Sequence, residues 1–183
     1  MAMPRRHTEI PKIWLMTDPR IGDLEGAIRR LPKGSGIVFR YYEYSQSERR
    51  ALFKRIRSLA KAYHHMLLLA DLPSVARRWG AHGVHGRSLH RSQGIRTVAV
   101  HNLREAALAR RLRADLIFVS PVFETRSHPG AQSIGALGLG RISGLQRHQT
   151  IALGGMTAKR AKSLAALNIH GWAAIDALSL SKD

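Results

Sequence analysis

The segment IALGGMT, at residues 151–157, contains the strongest structural signal in the chain. A short apolar run ends in Gly154 and Gly155, and Thr157 then precedes a helical pattern. The segment therefore predicts a buried strand that passes directly into a helix. Glycines at such a turn let backbone N–H groups approach an anion closely, and the following helix adds the positive end of its dipole. The alternative interpretation is a tight turn that needs small residues for steric reasons alone.

Eight short apolar runs, including the one before the glycine pair, recur along the chain. They occupy residues 12–16, 36–39, 65–70, 83–85, 97–100, 116–120, 150–153 and 171–175. Continuous apolar runs of this length are typical of strands buried on both faces of a parallel sheet. Helical patterns separate most of them, at residues 24–31, 45–63, 72–79, 103–112 and 158–167. This alternation predicts an α/β fold of the (β/α)8 TIM-barrel type. A doubly wound sheet is the alternative, but the chain has no obvious topological switch point.

Two features depart from a regular barrel. Residues 86–96 are too few for a full helix with its loops, so the fourth helix is predicted to be shortened. The sequence stops soon after the eighth strand, so the eighth helix is predicted to be reduced or missing. An incomplete outer layer would expose an apolar flank of the first or eighth strand. We therefore expect one barrel domain over residues 1–183, with that flank covered by an N-terminal arm at residues 1–11 or by a second subunit of a homodimer.

The composition favours a globular protein with anionic partners. Hydrophobic residues make up 44% of the chain, and Cys is absent. No apolar run approaches the roughly 18 residues of a membrane span, and none follows the basic N-terminus as in a secretory signal. These features predict a cytoplasmic protein with no membrane partner. Lys and Arg number 30 against 12 Asp and Glu, which gives a formal net charge of +18.

Most of the positive charge falls in helical patterns, which predicts solvated outer faces. The residues concerned are Arg49, Arg50, Lys54, Arg55, Arg57, Lys61, Arg104, Arg110, Arg111, Arg113, Lys159, Arg160 and Lys162. These charges are spread over several segments, are not interleaved with aromatic residues and accompany no recognisable reading motif. A phosphorylated small molecule is therefore the expected ligand, and nucleic acid is not expected as a partner.

Chemistry in a TIM barrel takes place at the carboxyl ends of the strands. The polar residues predicted to stand there include Thr17, Asp18, Arg40, Asp71, His85, His101, Thr125, Ser127, His128 and Asp176. Arg and His side chains around a Gly-Gly turn predict an anion pocket. His85 suits a core histidine as well as a functional one. The run SHPGAQSIGALGLG, at residues 127–140, predicts a flexible lid over the bound anion.

Five segments together resemble the thiamine phosphate synthase/TenI superfamily over nearly the whole chain. They are WLMTD at residues 14–18, GAHGVH at 80–85, VHNLREA at 100–106, ADLIFVSPVFET at 114–125 and IALGGMT at 151–157. The resemblance implies a barrel that works in or near thiamine biosynthesis. The synthase joins an aminopyrimidine methyl diphosphate to a thiazole phosphate and releases pyrophosphate with the assistance of Mg²⁺. TenI relatives instead isomerise a thiazole carboxylate phosphate, using a histidine for proton transfer.

The resemblance implies roles for individual residues. Arg40 would bind the diphosphate, and Asp71 would bind Mg²⁺, although a single carboxylate makes a weak site for this ion. The candidate catalytic residues are Arg40, His101 and His128. The candidate substrate- and phosphate-binding residues are Arg40, Thr125, Ser127, His128, Gly154, Gly155 and Asp176. Asp176 replaces a Ser of the family, and its charge would repel a phosphate.

Departures from the family pattern leave two further hypotheses open. Different residues stand at several functional positions of the synthase, namely Val38, Tyr42, Ala70, His90 and Ala99. A TenI-like isomerase that needs no metal is one alternative. The histidine of TenI is replaced by Pro121, so His85, His101 or His128 would have to move the proton. A non-catalytic protein that binds or senses a phosphorylated metabolite is the other alternative.

Overall fold

The computed structural model describes residues 9–126, 130, 132–144 and 149–179 of the 183 residues. Eight parallel strands form a closed barrel in chain order, in which β1 pairs with both β2 and β8. The strands are β1 (Ile13–Met16), β2 (Gly36–Phe39), β3 (Met66–Leu69), β4 (Gly83–His85), β5 (Ile95–Val100), β6 (Leu116–Val119), β7 (Thr150–Ala152) and β8 (Gly171–Ala174). The predicted (β/α)8 barrel is therefore confirmed.

Seven α-helices lie between and after these strands in the described part of the chain, and a short 3-10 helix (Ala165–Leu167) precedes β8. The α-helices are α1 (Leu24–Arg30), α2 (Gln46–Ala62), α3 (Pro73–Trp79), α4 (Leu103–Arg111), α5 (Gly135–Ser143), α6 (Ala158–Ser163) and α7 (Asp176–Ser179). Ser45 and Glu48 form the predicted capping box of α2, and the Asn102 side chain caps α4. None of these helices has both the length and the apolar character needed to cross a membrane.

The outer layer is incomplete on one side and reduced at its end. Residues 86–94, all of them described, form an irregular loop between β4 and β5. The shortened fourth helix that the sequence predicts for this segment is therefore absent. The buried Arg96 holds this loop, because its guanidinium donates to the backbone oxygens of Ser88 (2.6 Å from Nη1) and His90. After β8, α7 has only four residues, which agrees with the prediction of a reduced eighth helix. Residues 1–8 of the N-terminal arm lie outside the described residues, and its covering role stays a prediction.

The flexible lid predicted over residues 127–140 is wrong for its second half. Gly135 begins the nine-residue helix α5, in which Leu139 and Ile142 are buried against the strands. The sequence GALGLG has poor helix propensity, but burial of its apolar residues outweighs that weak preference. Residues 127–129 and 131 of the lid lie outside the described part of the chain.

Side chains with aromatic rings pack against one another and fill the interior of the barrel. The ring centroids of Trp14 on β1 and Phe118 on β6 are 5.6 Å apart, and those of Phe118 and His85 on β4 are 5.3 Å apart. These strands are not neighbours in the barrel, so their side chains can meet only across its interior. The interior is therefore a packed core, and a ligand has to be received at the mouth.

Arg49, which the sequence places on a solvated face, is buried instead. Its side chain crosses from α2 to the ends of β2 and β3, where it hydrogen-bonds to Arg40, Ala70 and Asp71. The helical pattern identified the correct helix but could not show that one of its arginines points inward. The other basic residues of α2 are partly or fully exposed, as predicted.

We predict that Gly36→Ala destabilises the barrel by about 1–3 kcal/mol, because a Cβ at this position would overlap the Trp14 ring. Urea unfolding followed by circular dichroism measures the change. Gly22→Ala is the matched control, since no atom lies within 4 Å of its added Cβ. Equal stability of the two variants would contradict the packing inferred around Trp14.

Candidate anion pocket at the carboxyl ends of the strands

One pocket lies over the carboxyl ends of the strands and has a volume of about 180 Å³. Drug-sized ligands occupy pockets of roughly 300–1,000 Å³, so this one suits a small ligand. Its lining residues come from the ends of β1 and β8 and from the segments that follow β2, β5, β6, β7 and β8. Among the predicted site residues it brings together Arg40, His101, Thr125, Gly154, Gly155 and Asp176.

The glycine turn after β7 requires both of its glycines. Gly154 and Gly155 have positive φ angles of 91° and 60°, which residues other than glycine rarely adopt. A Cβ on Gly154 would lie 2.7 Å from the Cα of Pro121, and one on Gly155 would overlap the backbone oxygen of Glu124. Steric necessity therefore accounts for the glycines, whether or not they also bind an anion.

The same turn leaves hydrogen-bond donors for a ligand. Leu153 N–H donates to Val119 O at 2.9 Å, whereas the N–H groups of Gly154 and Gly155 have no acceptor among the described residues. The N–H groups of Asp176 and Ala177, which line the pocket from β8, likewise have no acceptor there. These four residues are partly or fully exposed at the mouth, so their N–H groups are accessible to a ligand. Several backbone donors close together favour an anionic ligand between β7 and β8.

The charge of Asp176 is countered by an arginine. Arg126 Nη2 lies 3.1 Å from Asp176 Oδ2, and Arg126 Nε donates to the same oxygen at 3.2 Å. The Arg126 side chain is 74% exposed, so this pair is weak in water and free to rearrange. The repulsion expected between Asp176 and a phosphate is reduced by this partner.

Arg40 is held in the pocket wall by the end of β1. Its Nε donates to Thr17 O at 2.6 Å, and its Nη2 donates to Asp18 Oδ2 at 2.9 Å. The Asp18 carboxylate also accepts from Arg20 Nε at 2.7 Å. Hydrogen bonding from Arg20, aided by the charge of Arg40, holds the pKa of Asp18 below its usual value. Asp18 is thus the acidic partner of Arg40 among the described residues.

Asp71, the predicted metal ligand, is engaged by another cation. Its Oδ2 lies 2.5 Å from Nη1 of the buried Arg49, and its Oδ1 accepts from Leu72 N at 2.7 Å. Over the described residues, no group of three or more His, Asp or Glu side chains is placed to hold a metal ion. A guanidinium against one of its oxygens and a backbone amide on the other make Asp71 a poor ligand. The residues present therefore do not fit a Mg²⁺ site at this position.

His101 forms a dyad with a carboxylate at the start of α4. Its Nδ1 lies 2.9 Å from Glu105 Oε2, which also accepts from His101 N at 2.8 Å and from Arg87 Nη2 at 2.5 Å. Burial raises the pKa of Glu105, but hydrogen bonds from His101 and the charge of Arg87 outweigh this effect, and the net pKa is lowered. An ionised Glu105 fixes the orientation of the His101 ring at the pocket.

His85 belongs to the core. It is buried, and its Nδ1 lies 2.8 Å from the Thr97 hydroxyl. Its partner is thus a side chain on the neighbouring strand β5. Loss of hydration on burial, together with the positive charge of Arg40, lowers the pKa of His85 to about 4. It is therefore neutral at physiological pH.

Sequence reasoning identified part of this site. Thr125 lines the pocket, whereas Ser127 and His128 lie outside the described residues, so their roles stay predictions. The pairing roles of Arg49 and Glu105 were missed. Glu105 carries a usable signal, because it stands four residues after His101 on a predicted helix, where side chains meet. Arg49 carries none.

The fold and pocket define a parallel (β/α)8 barrel that receives a small ligand at its carboxyl mouth. The chain belongs to the thiamine monophosphate synthase family, whose model matches residues 15–178. This membership confirms the resemblance seen in the five sequence segments.

Individual relatives agree with this assignment. A protein of Aquifex aeolicus, named provisionally as a second thiamine-phosphate synthase, is 33% identical over 84% of this chain and 90% of its own length. The thiamine-phosphate synthase of Leuconostoc citreum is 28% identical over 96% of this chain and 92% of its own length. The solved structure of thiamine phosphate pyrophosphorylase from Pyrococcus furiosus has the same fold. Its TM-score is 0.80 at 24% identity, with 95% of this chain and 90% of that chain covered.

We predict that, because of His85, the folding stability decreases as the pH is lowered in mildly acidic solution. Below a pH of about 6.5, the ordinary pKa of the side chain, His85 binds a proton in the unfolded chain. In the folded chain it does not bind this proton until the pH falls to about 4. Between pH 6.5 and 5 this difference removes about 2 kcal/mol. Urea unfolding at pH 7 and pH 5 measures it.

The variant for this measurement is His85→Gln, which can still hydrogen-bond to Thr97 but cannot titrate. We expect it to lose about 2 kcal/mol less than the native chain over this pH range. The exposed His90→Gln serves as the control and should behave like the native chain. If His85→Gln keeps the native pH dependence, the neutral core role of His85 is wrong.

Proposed function

We propose that this protein is a thiamine phosphate synthase-type transferase. In this proposal it joins an aminopyrimidine methyl diphosphate to a thiazole phosphate and releases pyrophosphate. Family membership supports this reaction class. The observation that supports it for this chain is a set of four N–H groups, at Gly154, Gly155, Asp176 and Ala177, which line one small pocket and have no acceptor among the described residues.

The thiazole phosphate binds between the ends of β7 and β8. The backbone amides at Gly154, Gly155, Asp176 and Ala177 donate to the phosphate oxygens, and this requires no side-chain charge. The apolar part of the same pocket is formed by Met16, Leu153, Met156 and Ile175, and it receives the thiazole ring. Arg126 offsets the negative charge of Asp176 beside the phosphate.

The diphosphate of the second substrate lies on the Arg40 side of the mouth. Thr17 O and Asp18 hold the guanidinium through Nε and Nη2, which leaves Nη1 for a diphosphate oxygen. The bond between the pyrimidine methylene carbon and the diphosphate oxygen breaks, and the leaving pyrophosphate takes the electron pair. The thiazole nitrogen then donates its lone pair to that carbon and forms the new C–N bond.

Mg²⁺ assists this reaction in the family by neutralising the diphosphate. The residues around Asp71 do not fit this ion, because Arg49 and Leu72 N already occupy the carboxylate. In this proposal Arg40, with contributions from Thr125, Ser127 and His128, contacts the leaving group, and His101 lies beside it. We further propose a cytoplasmic protein that acts on phosphorylated metabolites, with a homodimer as the assembly.

The test of this proposal measures whether the phosphate is recognised. We expect the thiazole phosphate to bind at least about 100-fold more tightly than the unphosphorylated thiazole alcohol in calorimetric titration, because the four amides lose their acceptor without it. With both precursors present, thiamine phosphate and pyrophosphate should form in equal amounts. Equal affinity for the two thiazoles would contradict the amide site, and tight binding without product would favour a binding protein.

A TenI-like isomerase is the second candidate, because the His101–Glu105 dyad lies at the pocket. A carboxylate on Nδ1 leaves Nε2 of His101 to accept or donate a proton, as a general acid–base group requires. The substrate in this case is a thiazole carboxylate phosphate held by the same amides. Proton transfer between two ring positions needs neither a metal nor a leaving group.

We predict that His101→Gln distinguishes the two candidates. An isomerase would lose at least about 100-fold in turnover, because Gln cannot carry the proton, while binding of the thiazole phosphate stays within about twofold. The readout is the isomer ratio followed by NMR, with His90→Gln as the control outside the pocket. A synthase would keep most of its rate in His101→Gln. Retained isomerisation would exclude His101 as the proton carrier.

A further inference from the structure

The Arg49 guanidinium lies in an enclosure of oxygen atoms beneath the mouth of the barrel. Its Nε donates to Arg40 O at 2.7 Å, its Nη2 to Ala70 O at 2.9 Å, and its Nη1 to Asp71 Oδ2 at 2.5 Å. Two backbone carbonyls and one carboxylate therefore surround a single positive charge. Such hard oxygen donors are the ligands that Mg²⁺ and Ca²⁺ prefer.

Aromatic rings close this enclosure. The carbon atom Cζ of Arg49 is 5.4 Å from the ring centroid of Tyr42 and 5.7 Å from that of Trp79. The Arg49 side chain is only 11% exposed, so it is shielded from water. Burial of a charge is costly unless the charge is paired and hydrogen-bonded, and the three oxygen acceptors meet that requirement here.

The carboxylate in this enclosure has no acidic neighbour in sequence. Asp71 is the only acidic residue between residues 49 and 104, a stretch rich in Arg and Lys. A divalent ion at Asp71 would need the guanidinium to leave, and it would then gain only one negatively charged ligand. The electrostatics of this region therefore favour the resident arginine over a metal.

We propose that Arg49 is a tethered cation that fills an oxygen-lined cation site at the ends of β2 and β3 and excludes a divalent metal from Asp71. The site comprises Arg40 O, Ala70 O and the Asp71 carboxylate. By joining the two strand ends, Arg49 acts as a positioning residue for Arg40, whose backbone oxygen it holds. The inference does not rest on the proposed transferase activity, because it concerns which cation occupies the site.

The first experiment uses the native chain and Mn²⁺ as the probe. Electron paramagnetic resonance of Mn²⁺ should detect no site with a dissociation constant below about 1 mM that involves Asp71, since the guanidinium occupies it. A Mn²⁺ site in the native chain that disappears in Asp71→Asn would overturn the proposal. This measurement needs no substrate, so its failure is distinguishable from failure of the transferase proposal.

The second experiment empties the site. Arg49→Ala should lower the melting temperature by at least about 5 °C, because it removes the guanidinium that hydrogen-bonds to Arg40 O, Ala70 O and the Asp71 carboxylate. Addition of about 10 mM MgCl2 or guanidinium chloride should restore at least half of this loss, since either cation binds the folded state through the three freed oxygens. NaCl at equal ionic strength should restore little. Absence of rescue by both cations in a folded variant would also overturn the proposal.

Two controls make the rescue specific. In Arg49→Ala combined with Asp71→Asn, the negative ligand is gone, and neither cation should raise the melting temperature. Arg50→Ala changes the exposed neighbour on the same helix, and its melting temperature should stay near the native value without a response to either cation. Equal rescue of the double variant would show general salt stabilisation and contradict the site. Because the Mn²⁺ measurement uses the native chain, the proposal stays testable if Arg49→Ala does not fold.

Discussion

Closure of the sheet between β1 and β8 is the constraint on which the other features of this protein depend. Each strand has a neighbour on both sides, so the carboxyl ends of all eight meet around one mouth. Trp14, Phe118 and His85 fill the interior below. Candidate ligand-binding groups separated by more than a hundred residues, such as Arg40 and Gly154, consequently line the same small pocket.

Arginine pairing sets the electrostatic character of that mouth. Asp18, Asp71 and Asp176 each contact an arginine, and Glu105 contacts both Arg87 and His101. Carboxylates engaged in this way contribute little free negative charge, so the mouth remains suited to anions. The same pairing makes a carboxylate-held metal unfavourable. A chain with a net charge of +18 thus combines its few acids with structural arginines and leaves backbone amides for the ligand.

At the two glycines after β7, a steric requirement coincides with the proposed binding role. The positive φ angles and the close approach of Pro121 and Glu124 demand glycine. The same geometry leaves two N–H groups with no acceptor in the part of the chain that the structure describes. Arg160 secures this turn, because it donates to Gly155 O and lies over the Phe123 ring at 4.7 Å. The turn is therefore fixed before a ligand arrives, which lowers the entropic cost of binding.

The sequence alone predicted the order of the strands, the helix caps and the glycine turn, because these features depend on near neighbours in the chain. Strand positions, the capping box at Ser45, and the barrel all follow from such local patterns. The partners of charged side chains depend on distant segments, and only the tertiary structure decided them. Arg49 turns inward to Asp71, and the glycine-rich α5 forms because Leu139 finds a buried surface. Burial and long-range pairing outweigh local propensity at these positions, and neither can be read from the neighbouring residues.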